Sequence, residues 1–165
     1  MIPAAVVTVS TRASSAVRAD TAGPAIVAEL IRGGFSCDEP VVIADGAENV
    51  ERALWAELAG GARLIVTTGG TGVSPTDETP EGTARVITRE LPGIAEELRR
   101  VGVTETPGAM LSRGLAGVVD PIAGITTGAL IVNLPGSPKA VASGMRVILS
   151  VAQHVIDQLV GEDHS

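Results

Sequence analysis

The chain has 165 residues, 45% of them hydrophobic, and a net charge of −7, a composition typical of about one folded domain. It contains one Phe, one Trp and no Tyr, so it lacks both the aromatic platforms and the positive field that nucleic-acid binding uses. The sequence shows no signal-peptide pattern and no apolar run near the ~20 residues of a membrane span, so we expect a cytoplasmic protein with no nucleic-acid or membrane partner.

Strands and helices alternate in the first half of the sequence. Short apolar runs predict buried strands at 4–10, 40–44 and 63–68, and the polar segment 11–19 predicts a loop. The first predicted helix is capped by Asp20 or Thr21 and has an apolar stripe of Ile26, Val27, Leu30 and Ile31. A second helix is predicted at 47–58. A third begins at about Thr79 and carries Ala84, Ile87 and Leu91 on one face. This alternation predicts a mainly parallel sheet that is covered by helices on both sides.

The second half is less regular. A helical pattern resumes at 94–101, residues 107–113 predict a short helix, and 118–128 predict a loop or irregular hairpin. A buried strand at 129–133 and a turn at 134–138 precede a last helix, whose stripe is Met145, Leu149, Ala152, Ile156 and Leu159. The whole chain, 1–165, is expected to be a single α/β domain with a frayed tail at 161–165.

The strongest chemical feature is the glycine-rich segment 68–77, which follows a predicted strand. Ligands of parallel sheets bind beyond the carboxyl ends of the strands. The glycines leave backbone N–H groups uncovered, as in an anion-binding nest, and hydroxyl groups add further donors. The predicted phosphate-binding residues are Gly69, Gly70, Thr71, Gly72 and Ser74. The alternative is a structural turn with a helix cap.

Two carboxylates are expected at the same edge of the sheet. Asp77 ends the glycine-rich segment and Asp45 follows the second predicted strand. Carboxylates beside a phosphate nest would repel the ligand unless a cation bridges them, and Mg²⁺ prefers such oxygen ligands. We therefore predict Asp45 and Asp77 as metal ligands and catalytic residues, with an N-cap role as the alternative for Asp45.

A second small-residue turn, 133–139, also joins a strand to a helix. The helix start at Gly136 and Ser137 can bind phosphate, and Lys139 can add a charge. An ordinary strand-to-helix turn is the alternative. Cys37 is expected to be a structural thiol, and His154 and His164 have no neighbours that would complete a zinc site.

These motifs resemble the Mog/MoaB family of molybdenum-cofactor biosynthesis proteins, which includes the gephyrin G domain. The resemblance runs from about residue 5 to about residue 159. The matching segments are 9–10 with 20–24, the central signature 67–72 with Asp77 and 79–81, 91–93, 111–113 and 133–138. CinA-type domains differ at Thr71 and in the following acidic motif, and the related domain of MoeA proteins has a different loop after the glycines.

The resemblance implies a three-layer α/β/α fold, usually in a homotrimer, and a molybdopterin adenylyltransferase that moves AMP from Mg-ATP to the terminal phosphate of molybdopterin. It implies that Asp45 and Asp77 act with Mg²⁺. It also implies that Ser112, Asn133, Gly136 and Ser137 line the pterin-phosphate side of the site. A MoeA-type partner would then insert molybdate.

Residues 118–128 depart from the family because this connection is longer than usual. Such a loop can be a lid over a site or an inert surface loop, and we favour the inert interpretation. The alternatives for function are a non-catalytic molybdopterin-binding or scaffold protein, a nucleotide pyrophosphatase on the same fold, and an α/β interaction domain without a ligand.

Overall fold

A computed structural model of the protein describes residues 1–161, so all of the predicted tail except Gly161 lies outside the described residues, as does His164. The strands are β1 Ile2–Val9, β2 Phe35–Cys37, β3 Val41–Ile43, β4 Leu64–Thr68, β5 Arg89–Glu90, β6 Ala116–Val119 and β7 Ala129–Leu134. The helices are α1 Thr11–Ser14, α2 Ala22–Arg32, α3 Ala47–Ala59, α4 Thr79–Ala84, α5 Pro92–Val103 and α6 Pro138–Leu159, with a 3₁₀ helix at Pro107–Leu111. Within residues 1–161, no helix combines the length and the apolar character needed to cross a bilayer.

The seven strands form one sheet in the order β2-β1-β4-β7-β6-β5, and β3 also pairs with β1. The pairs among β1, β2, β3, β4 and β7 are parallel, whereas β6 runs antiparallel to both β5 and β7. The prediction of a mostly parallel sheet is therefore confirmed, with an antiparallel edge added. The parallel part brings the chain segments that follow β1, β3, β4 and β7 to one edge of the sheet.

Successive side chains of the central strands point to opposite faces of the sheet, and the core is therefore divided into two layers. Val6 and Val66 pack on one face of the sheet, where α2 and α6 bury their apolar residues and α5 adds half-buried ones. Val7 and Ile65 pack on the opposite face, where α3 contributes Leu54 and its apolar neighbours. Side chains in a strand point alternately to opposite faces, so continuous apolar runs fit strands that are covered on both sides. The three-layer α/β/α arrangement is confirmed.

The third predicted helix is too long. It ends at Ala84, and the chain then turns to pair as β5 with β6. The backbone N–H groups of Thr88 and Leu91 donate to the carbonyls of Val118 and Ala116, so this segment satisfies its hydrogen bonds across the sheet edge. Ile87 and Leu91 are half-buried there rather than on a helix face.

Other local predictions also need correction. Residues 11–14 form a short helix instead of a loop, and the predicted stripe residue Ile31 is 54% exposed. Residues 118–128, predicted as a loop or irregular hairpin, begin inside β6, and the rest closes on itself through an isolated antiparallel bridge between Ile122 and Thr126, as an irregular hairpin does. The short strand β2 was not predicted.

Candidate active site

A cavity of about 420 Å³ lies beyond the carboxyl ends of β4 and β7. It contains nine of the predicted site residues: Gly69, Gly70, Thr71, Gly72, Asp77, Ser112, Asn133, Gly136 and Ser137. Two predicted site residues, Asp45 and Ser74, do not line it. The two small-residue turns that were predicted separately are therefore two sides of one cavity.

The glycine-rich loop turns sharply after β4. Gly69 and Gly70 have φ values of 96° and 67°, a region that side-chain-bearing residues rarely adopt. A Cβ on Gly69 would collide with the carbonyl of Val9, and a Cβ on Gly70 would collide with Oγ1 of Thr79. Both positions thus require glycine for conformation and for space.

Thr79 holds the loop to the start of α4. Its Oγ1 donates to the carbonyl of Gly69 at 2.8 Å, and its backbone N–H donates to the carbonyl of Gly70 at 3.1 Å. Thr79 is completely buried, so these bonds are shielded from water. The N–H of Gly69 is also used, since it donates to the carbonyl of Leu134 at 3.0 Å. The N–H groups of residues 70–72 are therefore the ones in this turn that no described residue occupies.

Asp77 folds back over the loop. Its Oδ2 accepts a hydrogen bond from the N–H of Ser74 at 3.1 Å, and its own N–H donates to the carbonyl of Ser74 at 2.9 Å. Oδ2 would be 2.8 Å from a Cβ on Gly72, so glycine is needed there for the close approach of the carboxylate. Ser74 is exposed and serves this turn, whereas it was predicted to bind phosphate.

Asp45 lies beside the cavity and is held by Thr11. Its Oδ2 accepts from Thr11 Oγ1 at 2.8 Å and from the Thr11 N–H at 3.1 Å. Its Oδ1 faces Gly70, where it would be 3.4 Å from an added Cβ. The N-cap of α3 is Gly46, so Asp45 does not cap that helix.

The two carboxylates lie against neighbouring parts of the glycine-rich loop, Asp45 beside Gly70 and Asp77 beside Gly72. Within residues 1–161, Oδ1 of Asp45 and Oδ1 of Asp77 accept no hydrogen bond, so one oxygen on each side of the loop can still bind a cation. No cluster of three or more His, Cys, Asp or Glu side chains capable of holding a metal occurs in that part of the chain. A magnesium ion here would therefore need phosphate oxygens or water as further ligands.

Asn133 lines the cavity but directs its amide into the protein. Nδ2 donates to the hydroxyls of Thr67 and Thr83, each at 2.9 Å, and Oδ1 accepts from the N–H of Leu115 at 3.0 Å. The residue is 2% exposed. It ties β4, α4 and the residue before β6 to β7, and so supports the cavity wall. Its place at the pterin side stays a prediction, because these bonds occupy its amide within the protein.

The start of α6 forms another part of the wall. Ser137 is the N-cap, and its hydroxyl accepts from the N–H of Ala140 at 3.3 Å. Lys139 lines the cavity from the first turn of this helix and is exposed. A helix N-terminus with a lysine favours an anionic ligand, and the binding of phosphate at this turn stays a prediction.

Of the opposite wall, only Ser112 was predicted. This wall comes from α5, the 3₁₀ helix and the inner face of α6, and it is mostly apolar, with Leu98, Ala109 and Gly144 among its members. Arg99 and Glu105 add charges of opposite sign. The sequence pattern of α5 indicated only an amphipathic helix, and nothing in it distinguished a cavity wall from ordinary packing.

Arg113 was also missed as a site residue. Its Nε donates to the carbonyl of Gly72 at 2.8 Å and its Nη2 to the carbonyl of Asp77 at 2.7 Å, while Nη1 pairs with Glu81. The hydrogen bond from Arg113 holds the pKa of the Glu81 carboxyl below its usual value. The sequence signal was the position of Arg113 directly after Ser112, in a segment that matched the family.

Comparison with known proteins agrees with this geometry. The domain family described as "Probable molybdopterin binding domain" matches residues 5–154. A protein of Helicobacter pylori named molybdopterin adenylyltransferase is 33% identical over 94% of this chain and 86% of its own length. The Mog protein of Mycobacterium ulcerans, 43% identical, superposes with a TM-score of 0.85 over 96% of this chain and 99% of its own.

Some relatives are larger. The molybdenum cofactor biosynthesis bifunctional protein of Synechococcus elongatus is 35% identical over 98% of this chain, but the match spans only 48% of that protein. The shared part is thus the domain that surrounds the cavity. On these matches, the chain belongs to the molybdopterin-binding domain family of molybdenum-cofactor biosynthesis proteins.

Proposed function

We propose that this chain is a molybdopterin adenylyltransferase, which transfers AMP from Mg-ATP to the terminal phosphate of molybdopterin. The observation that carries the proposal is the two-sided cavity, with uncovered backbone amides and Asp77 at one end and a mostly apolar wall at the other. The first side suits phosphate groups and the second suits a flat heterocycle. The name of the Helicobacter pylori relative supports this reaction.

The proposed transfer needs no strong general base. An oxygen of the pterin's terminal phosphate attacks the α-phosphorus of ATP, and this new bond forms as the α-phosphorus separates from the bridging oxygen to the β-phosphorus. Pyrophosphate leaves with that electron pair. A phosphate monoester is largely ionised at neutral pH, since its second pKa is about 6. Positioning and charge stabilisation then supply most of the rate acceleration.

Each part of the cavity has a task in this reaction. The amides of Gly70, Thr71 and Gly72 bind phosphate oxygens and hold the reacting groups in line. Asp45 and Asp77 would hold the magnesium ion, which neutralises phosphate charge when it is bound. Lys139 adds a positive charge at the start of α6.

A non-catalytic pterin-binding protein is the second candidate, because Asp45 does not line the cavity. Such a protein would bind molybdopterin on the same wall without transferring AMP. The two candidates share the cavity and differ in what happens to ATP.

Anaerobic incubation with molybdopterin and Mg-ATP tests the proposal. Adenylylated pterin and an equal amount of pyrophosphate are the expected products. Tight pterin binding without AMP transfer would favour the second candidate. Pyrophosphate release that does not require the pterin would indicate a nucleotide pyrophosphatase instead.

The homotrimer and a MoeA-type molybdate-inserting partner belong to the same proposal. Sedimentation equilibrium should give a mass of three chains of 16.6 kDa each. The adenylylated product should be consumed when a MoeA-type protein and molybdate are added.

A further inference from the structure

One arginine joins the two ends of the exposed part of the glycine-rich loop. The guanidinium of Arg113 donates to the carbonyl of Gly72 at 2.8 Å and to the carbonyl of Asp77 at 2.7 Å. The backbone N–H of Arg113 donates to the carbonyl of Thr71 at 2.8 Å. Residues 72–77 are therefore closed by a single side chain that comes from a distant part of the sequence.

The middle of this segment has little support of its own. Residues 73–76 are exposed, and within the described chain their hydrogen bonds are confined to 74–77. Those local bonds shape the turn but do not fix its orientation relative to the cavity. Thr79 holds the loop at Gly69 and Gly70, ahead of this segment. The guanidinium holds the segment itself, because it attaches the carbonyl before the turn and the carbonyl after it to one rigid group.

The Asp77 carboxylate depends directly on this closure. Its Oδ2 lies so close to Gly72 that a Cβ added to that glycine would be 2.8 Å from Oδ2. A shift of one end of the segment relative to the other would therefore move the carboxylate relative to the amides of Gly70 and Gly72. Misplacement by about 1 Å can cost a reaction about 100-fold in rate.

We propose that Arg113 is a positioning residue, which sets the place of the Asp77 carboxylate relative to the phosphate-binding amides. This inference rests on the proposed function, since it assigns Arg113 to the same transfer reaction. The planar guanidinium supplies separate donors for the carbonyls and for Glu81, whereas a lysine ammonium is a compact point charge that cannot reach the same acceptors with fixed geometry.

The chain offers a matched control for the charge. Arg85 lies at the end of α4 and pairs with Glu51 at 3.2 Å, with its side chain 48% exposed, compared with 39% for Arg113. It makes no hydrogen bond to the glycine-rich loop. Arg113→Lys and Arg85→Lys each replace a guanidinium with an ammonium in an exposed ion pair. Only Arg113 also bonds to the glycine-rich loop. Glu81→Gln removes the ion pair while leaving both carbonyl bonds in place.

The experiment measures two properties of the wild type and the three variants. The first is pterin-dependent pyrophosphate release with Mg-ATP, analysed as kcat and KM. The second is the affinity for magnesium pyrophosphate by calorimetry, which does not depend on turnover. We expect Arg113→Lys to lower kcat and this affinity each by about tenfold, with KM for the pterin little changed. Arg85→Lys and Glu81→Gln should stay within about twofold of the wild type in both.

The results separate this inference from the proposed function. If the wild type transfers no AMP, the proposed function fails, and the pyrophosphate affinities still decide the role of Arg113. An Arg113→Lys affinity within twofold of Arg85→Lys would overturn the positioning role, as would a wild type that binds no pyrophosphate. Arg113→Gln provides the same comparison if the lysine variant does not fold, which thermal unfolding will reveal.

Discussion

The carboxylate of Glu78 accepts a hydrogen bond from the backbone N–H of Ala47, with 2.9 Å between Oε2 and N. Glu78 stands at the N-cap of α4, yet its side chain makes no bond to that helix and caps α3 instead. Asp77 is the residue before Glu78, and Asp45 lies just before the start of α3. This bond therefore ties together the two turns that carry the proposed magnesium ligands.

Replacing Glu78 should lower both the stability of the fold and the affinity for magnesium. Glu78→Ala leaves the first turn of α3 without a side-chain cap, which should cost about 1 kcal/mol of unfolding free energy in urea. It should also raise the magnesium concentration needed for half-maximal AMP transfer. Glu78→Gln keeps an acceptor oxygen and should lie between Glu78→Ala and the wild type. Equal magnesium requirements in all three proteins would show that the bond has no influence on the metal site.

Asp77→Asn should abolish AMP transfer while the fold is retained. An asparagine oxygen can still accept from the N–H of Ser74, so the turn survives, but the charge that would bind the cation is lost. We expect kcat to fall at least ~100-fold, with pterin affinity nearly unchanged. Asp120→Asn is the control, because Asp120 pairs with Arg89 outside the cavity. Full activity of Asp77→Asn would refute the metal role.

Asn133→Ala should destabilise the protein strongly. It leaves the N–H of Leu115 without its acceptor and removes the donor shared by the buried hydroxyls of Thr67 and Thr83. Each unsatisfied buried polar group costs about 1–3 kcal/mol, so urea denaturation should show a loss of about 3 kcal/mol. Gln153→Ala, which removes one exposed hydrogen bond to Asp157, should change stability by less than about 0.5 kcal/mol. Similar losses in both variants would contradict the structural role of Asn133.

Two helical glycines should respond oppositely to alanine. A Cβ on Gly82 would lie 2.6 Å from the carbonyl of Ala47 and 2.7 Å from Cβ of Val50, so α4 would be pushed away from α3. We expect Gly82→Ala to cost about 1–3 kcal/mol. Gly93 in α5 has no atom within 4 Å of an added Cβ, and Gly93→Ala should stabilise the helix by about 0.5–1 kcal/mol. Thermal unfolding of both variants checks the difference in sign.

Cys37 should react slowly with alkylating reagents. Burial, together with the nearby carboxylates of Asp38 and Glu57, raises the pKa of its thiol from the usual 9.0 to about 11. Near pH 8 the folded protein should therefore contain about 100-fold less thiolate than an unfolded chain, and iodoacetamide should modify it correspondingly slowly. Because the folded pKa lies above the unfolded one, this group should stabilise the fold below pH 9.0 and lose that contribution as pH rises through about 11. Equal alkylation rates in native protein and in urea would contradict this.

The central elements could be predicted because their sequences admit few alternatives. The runs in β1, β4 and β7 are apolar on both faces, which suits strands covered by two helix layers. The edge strands were missed for physical reasons. β5 has two residues, both exposed, and its conformation depends on pairing with β6, a long-range contact that no local pattern encodes.

The site could be predicted on one side only. Glycine, hydroxyl and acidic residues after β4 and β7 indicate their chemistry by residue type, and the sheet places them together. The wall from α5 consists of residues that serve equally well in an ordinary core, so its function depends on packing. Apart from its position beside Ser112, nothing in the sequence indicated Arg113, because the carbonyls that it contacts belong to a loop far away in sequence.

The cavity draws its walls from three separate stretches of the chain, 69–77, 95–114 and 133–144. A ligand that fills the cavity would contact all three stretches at once. Binding would then raise the free energy of unfolding of the whole domain, because the unfolded chain has no such binding site. The thermal stability of this protein in a cell would accordingly depend on the supply of its ligand, and chains without the ligand would be the first to unfold and be degraded.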